Sequence, residues 1–325
     1  MNKREALLRY LEGDKVGEYI PAAFFLHFGQ DYRSGDAAIS RHKEFFAATD
    51  MDFVKIQFEL DFPRIEISKV AEFERIPYLP LEFYEPQLEV VRSLVNDLKS
   101  EALVVLTLYS PFMLAGNMVG NATVIDYLEK SPESVFKALE TITDSLLGFV
   151  SECVRVGIDG FYHSTQGAEV RRFSDPEIFL KWVKPTDHRL MNAINESSLF
   201  NILHICDYHE EYGGYDDVTP LLDYPGNVVN ISTNIGGKEW TPADLSNQFG
   251  RPYMGGLNRL GPLSTGTVDD ARAAAKTVLA QAPPIFILGA DCTVPASTPW
   301  SNLRAAIDEA HAGRLVLQAG SSPLP

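Results

Sequence analysis

His204 and Cys206 stand two residues apart in Asn201-Ile202-Leu203-His204-Ile205-Cys206-Asp207, a short apolar run that ends in polar residues. Side chains two apart on a β-strand share a face, so this imidazole and this thiol project together. A third residue of similar character, Cys292, follows the distant run Leu288-Gly289-Ala290-Asp291. Neutral imidazole with two thiolates suits Zn²⁺, and three protein ligands with an open fourth position form a catalytic site rather than a structural one. The competing reading makes both cysteines small hydrophobes of a buried core, a role free cysteine often fills. His-x-Cys is too short to separate the two, and no Cys-x-x-Cys pair reinforces the metal.

The elements that would carry these residues favour the metal. Eight apolar runs read as strands, at 19–26, 52–59, 102–108, 160–164, 201–206, 228–232, 252–256 and 285–288. Between them fall helical patterns at 37–48, 85–100, 132–156, 176–196 and 268–280, with a short helix at 4–12 before the first strand and another at 299–311 after the last. Gly157 is expected to cap the long helix that carries Cys153, a core residue on this reading. Pro185 should kink or break the helix at 176–196, and Ser297-Thr298 should cap the last one. Segment 63–83 reads as loop with partial helix, 116–120 as a glycine-containing loop, and 207–217, with Tyr208, His209, Tyr212 and Tyr215, as a mobile lid.

Strands alternating with helices predict an α/β fold, a single (β/α)8 TIM barrel over residues 1–325 with a short N-terminal helical extension. In such a barrel the carboxyl ends of all strands share one mouth, so His204, Cys206 and Cys292 would converge there. A doubly wound sheet lacks support, because no Gly-x-Gly-x-x-Gly follows the first strand and no phosphate-binding Gly-x-x-x-x-Gly-Lys occurs.

Composition narrows the partners. With 28 Lys+Arg against 44 Asp+Glu, a net charge of −16 and no basic cluster, the chain argues against nucleic acid and suits a neutral or cationic substrate. Three scattered cysteines make no disulfide framework and point to a reducing cytoplasm. The charged start Met1-Asn2-Lys3-Arg4-Glu5 is not expected to be a signal peptide, and no apolar run reaches the roughly 18 residues a membrane span requires.

His204-Ile205-Cys206 after a buried strand, with Ala290-Asp291-Cys292-Thr293-Val294-Pro295-Ala296-Ser297-Thr298-Pro299 after the last one, resembles the His-x-Cys…Cys pattern of zinc methyltransferases in the uroporphyrinogen decarboxylase superfamily. Around the seventh strand the likeness rests on Gly255-Gly256 and Asn258. The resemblance implies a barrel enzyme that moves a methyl group between a corrinoid protein and a thiol such as coenzyme M, or a methyl ether or other methylated donor. The barrel is expected to use up the chain, which places the corrinoid on a separate partner and leaves a homodimer open. Zinc would hold a thiol substrate as thiolate, or activate an ether oxygen as leaving group. One departure bears on substrate: uroporphyrinogen decarboxylases carry an arginine-rich segment after the first strand, where this chain has Leu26-His27-Phe28-Gly29-Gln30.

Around the metal ligands, Glu59, His163 and Glu169 are the candidate catalytic residues. His27, Gln57, Gln166, Tyr208 and Asn230 are the candidate substrate contacts, and Ser232 shares a strand face with Asn230. Glu59, Gln57, His163, Gln166 and Glu169 lie at or past strand ends, where each also fits as a fourth metal ligand; Glu169 also fits a solvated loop, and His27 a satisfied rim position. Asp207 and Asp291 adjoin ligands and could orient them. Two other functions compete: a metal-free decarboxylase, or lyase, of the same fold, in which both cysteines are dispensable, and a zinc-stabilised binding protein that unfolds without metal.

Overall fold

The computed structural model describes residues 2–14 and 19–312. In chain order the elements are α1 (Lys3–Leu11), α2 (Gly35–Thr49), β1 (Phe53–Ile56), α3 (Leu81–Leu98), β2 (Leu103–Tyr109), α4 (Pro111–Val119), α5 (Asn121–Lys130) and α6 (Pro132–Val156). Then follow β3 (Gly160–Thr165), α7 (Lys184–Ser197), β4 (Ile202–Ile205), β5 (Val228–Asn230), a small hairpin of β6 (Asn234–Ile235) and β7 (Lys238–Glu239), and α8 (Pro242–Phe249). The chain continues through β8 (Tyr253–Leu257), α9 (Pro262–Thr265), α10 (Val268–Leu279), β9 (Phe286–Ala290) and α11 (Trp300–Ala310).

Seven strands form one parallel sheet in the order β1-β2-β3-β4-β5-β8-β9. The sheet curls until both edges meet the segment 19–26, the first stave of the ring. On the β9 side Leu288 N donates to Pro21 O at 2.8 Å and Ala23 N to Leu288 O at 3.0 Å; on the β1 side Asp52 N donates to Ala22 O at 3.0 Å. Two isolated parallel bridges, Ala22 to Leu288 and Leu26 to Val294, take the place of a continuous ladder. Pro21 has no N–H to offer a neighbouring strand, which keeps this stave irregular. The (β/α)8 architecture read from the sequence is therefore present, with its first strand reduced to a seam.

The strands are buried on both faces, packed against helices outside and one another inside, and their near-continuous apolar sequences reflect this. Helix α6 shows the outer layer: Val135, Leu139, Ile142, Leu146, Phe149, Val150 and Cys153 recur at helical spacing and are all buried. Gly157 ends it in a left-handed conformation at φ +101, as expected of that residue. Pro185 also behaves as expected: a π-turn at Phe179–Val183 precedes a fresh helix in which the proline occupies the first turn. Three boundaries differ. Residues 116–119 extend α4 instead of forming a loop, α3 starts at Leu81 with Pro86 still in its early turns, and α11 is preceded by Pro299 with no side-chain cap. No helix among the described residues is long and apolar enough to cross a membrane.

The amino ends of the strands carry a ring of polar anchors. Asp52, Asp159, Asn201 and Asn227 stand immediately before β1, β3, β4 and β5. Asp159 accepts two hydrogen bonds from Arg4 at 2.6 and 2.7 Å and one from Val104 N at 2.9 Å. Asp52 accepts from Ala22 N and His311 Nε2, both at 2.7 Å, and from Tyr19 Oη. Asn201 Oδ1 accepts from Phe161 N at 3.0 Å, and Asn227 Oδ1 from Asn201 N at 2.8 Å. Helix α1 lies across this end: Lys3 Nζ donates to Met51 O at 2.9 Å, and Tyr10 Oη accepts from Phe286 N at 3.1 Å.

Candidate metal centre

Parallel register sets His204 beside Ser164 on one side and Asn230 on the other. Alternation then turns Tyr162, Ser164 and His204 toward the barrel axis, where they line a cavity of about 340 Å³ at the carboxyl ends of the strands. Cys206 lies just past β4 and Cys292 just past β9, and both reach the same cavity. Cys206 Sγ and Cys292 Sγ are 4.0 Å apart, and Cys292 Sγ is 3.5 Å from His204 Nε2. Ligand atoms of all three lie within 4.8 Å of one another, and all three residues are buried.

This arrangement fits zinc on its own geometry. Zn–S bonds of about 2.3 Å and Zn–N bonds of about 2.0 Å at tetrahedral angles put two sulfurs about 3.8 Å apart and a sulfur and nitrogen about 3.6 Å apart. The Cys206–Cys292 and Cys292–His204 spacings are close to these values. Among the described residues no further His, Cys, Asp or Glu joins the cluster, which leaves a tetrahedron one position short. The thiols are already unequal. A hydrogen bond from Cys292, outweighing the cost of burial, holds Cys206 well below the usual thiol range, and the same bond together with burial pushes Cys292 up.

The floor of the cavity is aromatic and tightly tied. The Tyr162 ring stacks on the His204 ring with centroids 4.9 Å apart, and its hydroxyl donates to Asn230 Oδ1 at 2.6 Å. Asn230 Nδ2 donates in turn to Met254 O at 2.8 Å and Ala290 O at 2.9 Å, tying β5 to β8 and β9. Beside Tyr162 sits Lys55, whose ammonium donates to Gln57 Oε1 at 3.0 Å and Thr107 Oγ1 at 2.8 Å and lies 4.8 Å from the centroids of both Phe25 and Tyr162. Burial lowers its pKa to about 7, against an opposing pull from Cys292 and Glu59. At the mouth His27 Nδ1 pairs with Glu59 Oε1 at 2.6 Å, and Tyr208 and His209 form part of the wall.

Of the residues expected to contact the reaction, Glu59, His27, Gln166 and Tyr208 line the cavity. The others do not. His163 points outward between sheet and helix, where Nε2 pairs with Asp187 of α7, because its neighbours Tyr162 and Ser164 take the inward positions. Glu169 is buried behind the cavity in an ion pair with Arg172. Gln57 accepts from Lys55, and Asn230 supports Tyr162. Asp291 accepts from Arg259 N at 2.8 Å, and burial raises its pKa to about 6; burial raises that of Asp207 as well. Sequence reading gave no role to Lys55, Tyr162 or Arg172. Lys55 did leave a signal, as the one charge inside the apolar strand Phe53-Val54-Lys55-Ile56.

The uroporphyrinogen decarboxylase (URO-D) family pattern matches residues 49–313. Two relatives, each a methylcobamide:CoM methyltransferase MtbA, from Methanosarcina mazei and Methanosarcina acetivorans, are 24% and 23% identical to this chain over 222 residues. The matched part is 68% of this chain but 61% of each relative, so the chain spans under two thirds of their length. Among solved structures, a methyltransferase from Methanosarcina mazei superposes with a TM-score of 0.75 at 14% identity, covering 96% of this chain and 99% of that one, a likeness of fold.

Proposed function

The chain belongs to the uroporphyrinogen decarboxylase family, and from that premise we propose that it is a zinc-dependent methyltransferase that moves a methyl group between a separate corrinoid protein and a thiol or a methylated donor. The observation that carries this reading is the convergence of the ligand atoms of His204, Cys206 and Cys292 to within 4.8 Å of one another in the mouth. The activity named for the two MtbA relatives supports it. Zinc held by these three residues would supply Lewis acidity at its fourth position, keeping a thiol ionised at neutral pH or drawing charge from a departing oxygen.

The chain's own residues prepare the rest. Tyr162, stacked on His204 and tied to Asn230, fixes the plane of the imidazole. Phe58, Phe62, Tyr109 and Met113 give the cavity an apolar wall that keeps water from a nucleophile formed inside it. On this reading Glu59, hydrogen-bonded to His27 at the mouth, takes the proton of an arriving thiol. Arg33 and Lys55 are the only Arg and Lys among the cavity-lining residues, set against Glu59 and Asp61, a poor match for a polyanionic porphyrinogen.

Purified without added zinc, the protein is expected to hold about one zinc per chain. With methylcobalamin as the probe and a panel of simple thiols, demethylation followed by cobalamin absorbance should require both thiol and metal, and should vanish in Cys292→Ala and His204→Ala. A wild-type protein that takes up no metal even when zinc is supplied overturns the proposal.

A further inference from the structure

The surroundings of the two sulfurs differ. Cys206 Sγ lies 3.4 Å from Gln166 Nε2 and also takes the backbone N–H of Tyr208, whereas the side chains bonded to Cys292 Sγ are Cys206 and His204 alone among the described residues. Shape does not tell the oxygen of an amide from its nitrogen, but chemistry does here. Gln166 Oε1 lies 3.4 Å from Arg172 Nη2, and a guanidinium only donates. The oxygen must therefore face Arg172, and the N–H₂ must face the sulfur.

Arg172 is itself fixed. Glu169 accepts from its Nε at 3.0 Å and from its Nη2, and Glu169 is anchored in turn by Gly167 N at 2.7 Å. The guanidinium carbon lies 3.6 Å from the centroid of Tyr212, in the loop that follows Cys206. Arg172 and Glu169 have side chains 0% and 1% exposed, so water does not compete for these bonds.

We propose that Gln166 is a positioning residue for Cys206: its amide N–H, oriented by the Arg172–Glu169 pair, hydrogen-bonds the Cys206 sulfur and makes it the less donating and more rigid of the two thiolate ligands. This role goes beyond any contact of Gln166 with substrate, and it rests on the reading of the three residues as a zinc site. A hydrogen bond to a thiolate lowers the energy of the sulfur lone pair and limits its rotation, so the sites for metal and substrate become asymmetric before either arrives. Cys292, whose side-chain partners among the described residues are the two residues that would share the metal with it, keeps the greater share of electron density.

Cobalt(II) in place of zinc reports on the sulfur directly, through the thiolate-to-cobalt charge-transfer band in the near ultraviolet. In Gln166→Leu, which removes the donor at similar volume, the band should move to longer wavelength, and competition with a chelator should show zinc held about 10-fold more weakly. Gln166→Glu should have the larger effect, about 100-fold, because a carboxylate bound to Arg172 turns only acceptors toward the sulfur. Arg172→Lys keeps a charge beside Glu169 without the fork, and should shift the band part of the way. A lower melting temperature with an unmoved band in both cobalt-loaded Gln166 variants would mean that Gln166 only packs, and overturns the proposal. A wild-type protein with no cobalt band would remove the metal site itself, a different failure.

Discussion

At the amino ends of the strands, Asp52 and Asp159 each accept three hydrogen bonds from protein groups and leave no oxygen idle. At the carboxyl ends, His204 Nδ1 and Arg172 Nη1 are buried with no hydrogen-bond partner among the described residues, Cys206 and Cys292 form no disulfide, and Lys55 is buried with two of its three possible hydrogen bonds made to side chains. Both ends bury comparable polar groups. One completes their bonding within the chain, and the other keeps bonding capacity in reserve for something that is not part of the chain. The difference teaches where this fold separates stability from chemistry: the amino-end ring joins strands, while the mouth carries unmet polar groups at a cost to stability.

Mutations at the two ends should therefore fail in different ways. Removing a mouth ligand has the largest expected effect: Cys292→Ala should lower zinc affinity on the order of 1000-fold, read by chelator competition, while metal-free stability in urea changes by less than about 1 kcal/mol. The reverse holds below. Asp159→Ala strips Arg4 of its partner in a largely buried pair, and should cost about 3–5 kcal/mol in urea unfolding with zinc stoichiometry unchanged. If Asp159→Ala lost metal while remaining folded, the two ends would not be separable.

Lys55 sharpens the contrast, since a mouth residue ought to destabilise. With its pKa lowered from 10.5 to about 7, it binds fewer protons folded than unfolded between those values. Metal-free protein should accordingly gain stability as pH rises from about 7 toward 10.5, by at most about 1.4 kcal/mol per pH unit from this group. Lys55→Met should flatten that slope and raise stability at pH 7 by about 2 kcal/mol, both read from urea midpoints across the pH series. The smallest effect belongs to the border between the two regimes. Tyr162→Phe removes one of the bonds made by Asn230, and should cost about 1 kcal/mol in thermal or urea unfolding while zinc still binds.

The staves and the clustering of His204 and Cys206 with Cys292 were legible in the sequence because their signals are local. An apolar run ending in polar residues marks a strand end, and His204 and Cys206 fix their common face by their spacing alone. The inward phase of a neighbouring strand is a different matter. Gly160-Phe161-Tyr162-His163-Ser164-Thr165 is buried on both faces, so nothing in its pattern says whether Tyr162 or His163 looks inward. Pairing with β4 decides, and pairing is long-range information. Glu169 and Gln57 were misplaced for a related reason: their partners Arg172 and Lys55 come into contact only through loop and strand geometry. The anchors Asp52, Asp159, Asn201 and Asn227 look in sequence like ordinary turn residues. The irregular first stave left one trace, Pro21 inside an otherwise strand-like run.

The seam between segment 19–26 and β9 also sets an order in time. A chain still being synthesised presents His204 and Cys206 well before β9 has emerged, and until then the sheet has two open edges and the site only two ligands. Ring closure and the arrival of Cys292 are thus one late event, delayed by the sequence separation of the partners. Metal captured at that step would act as a latch on the finished ring, and a fragment ending before β9 would leave adhesive strand edges exposed, open to pairing with another chain.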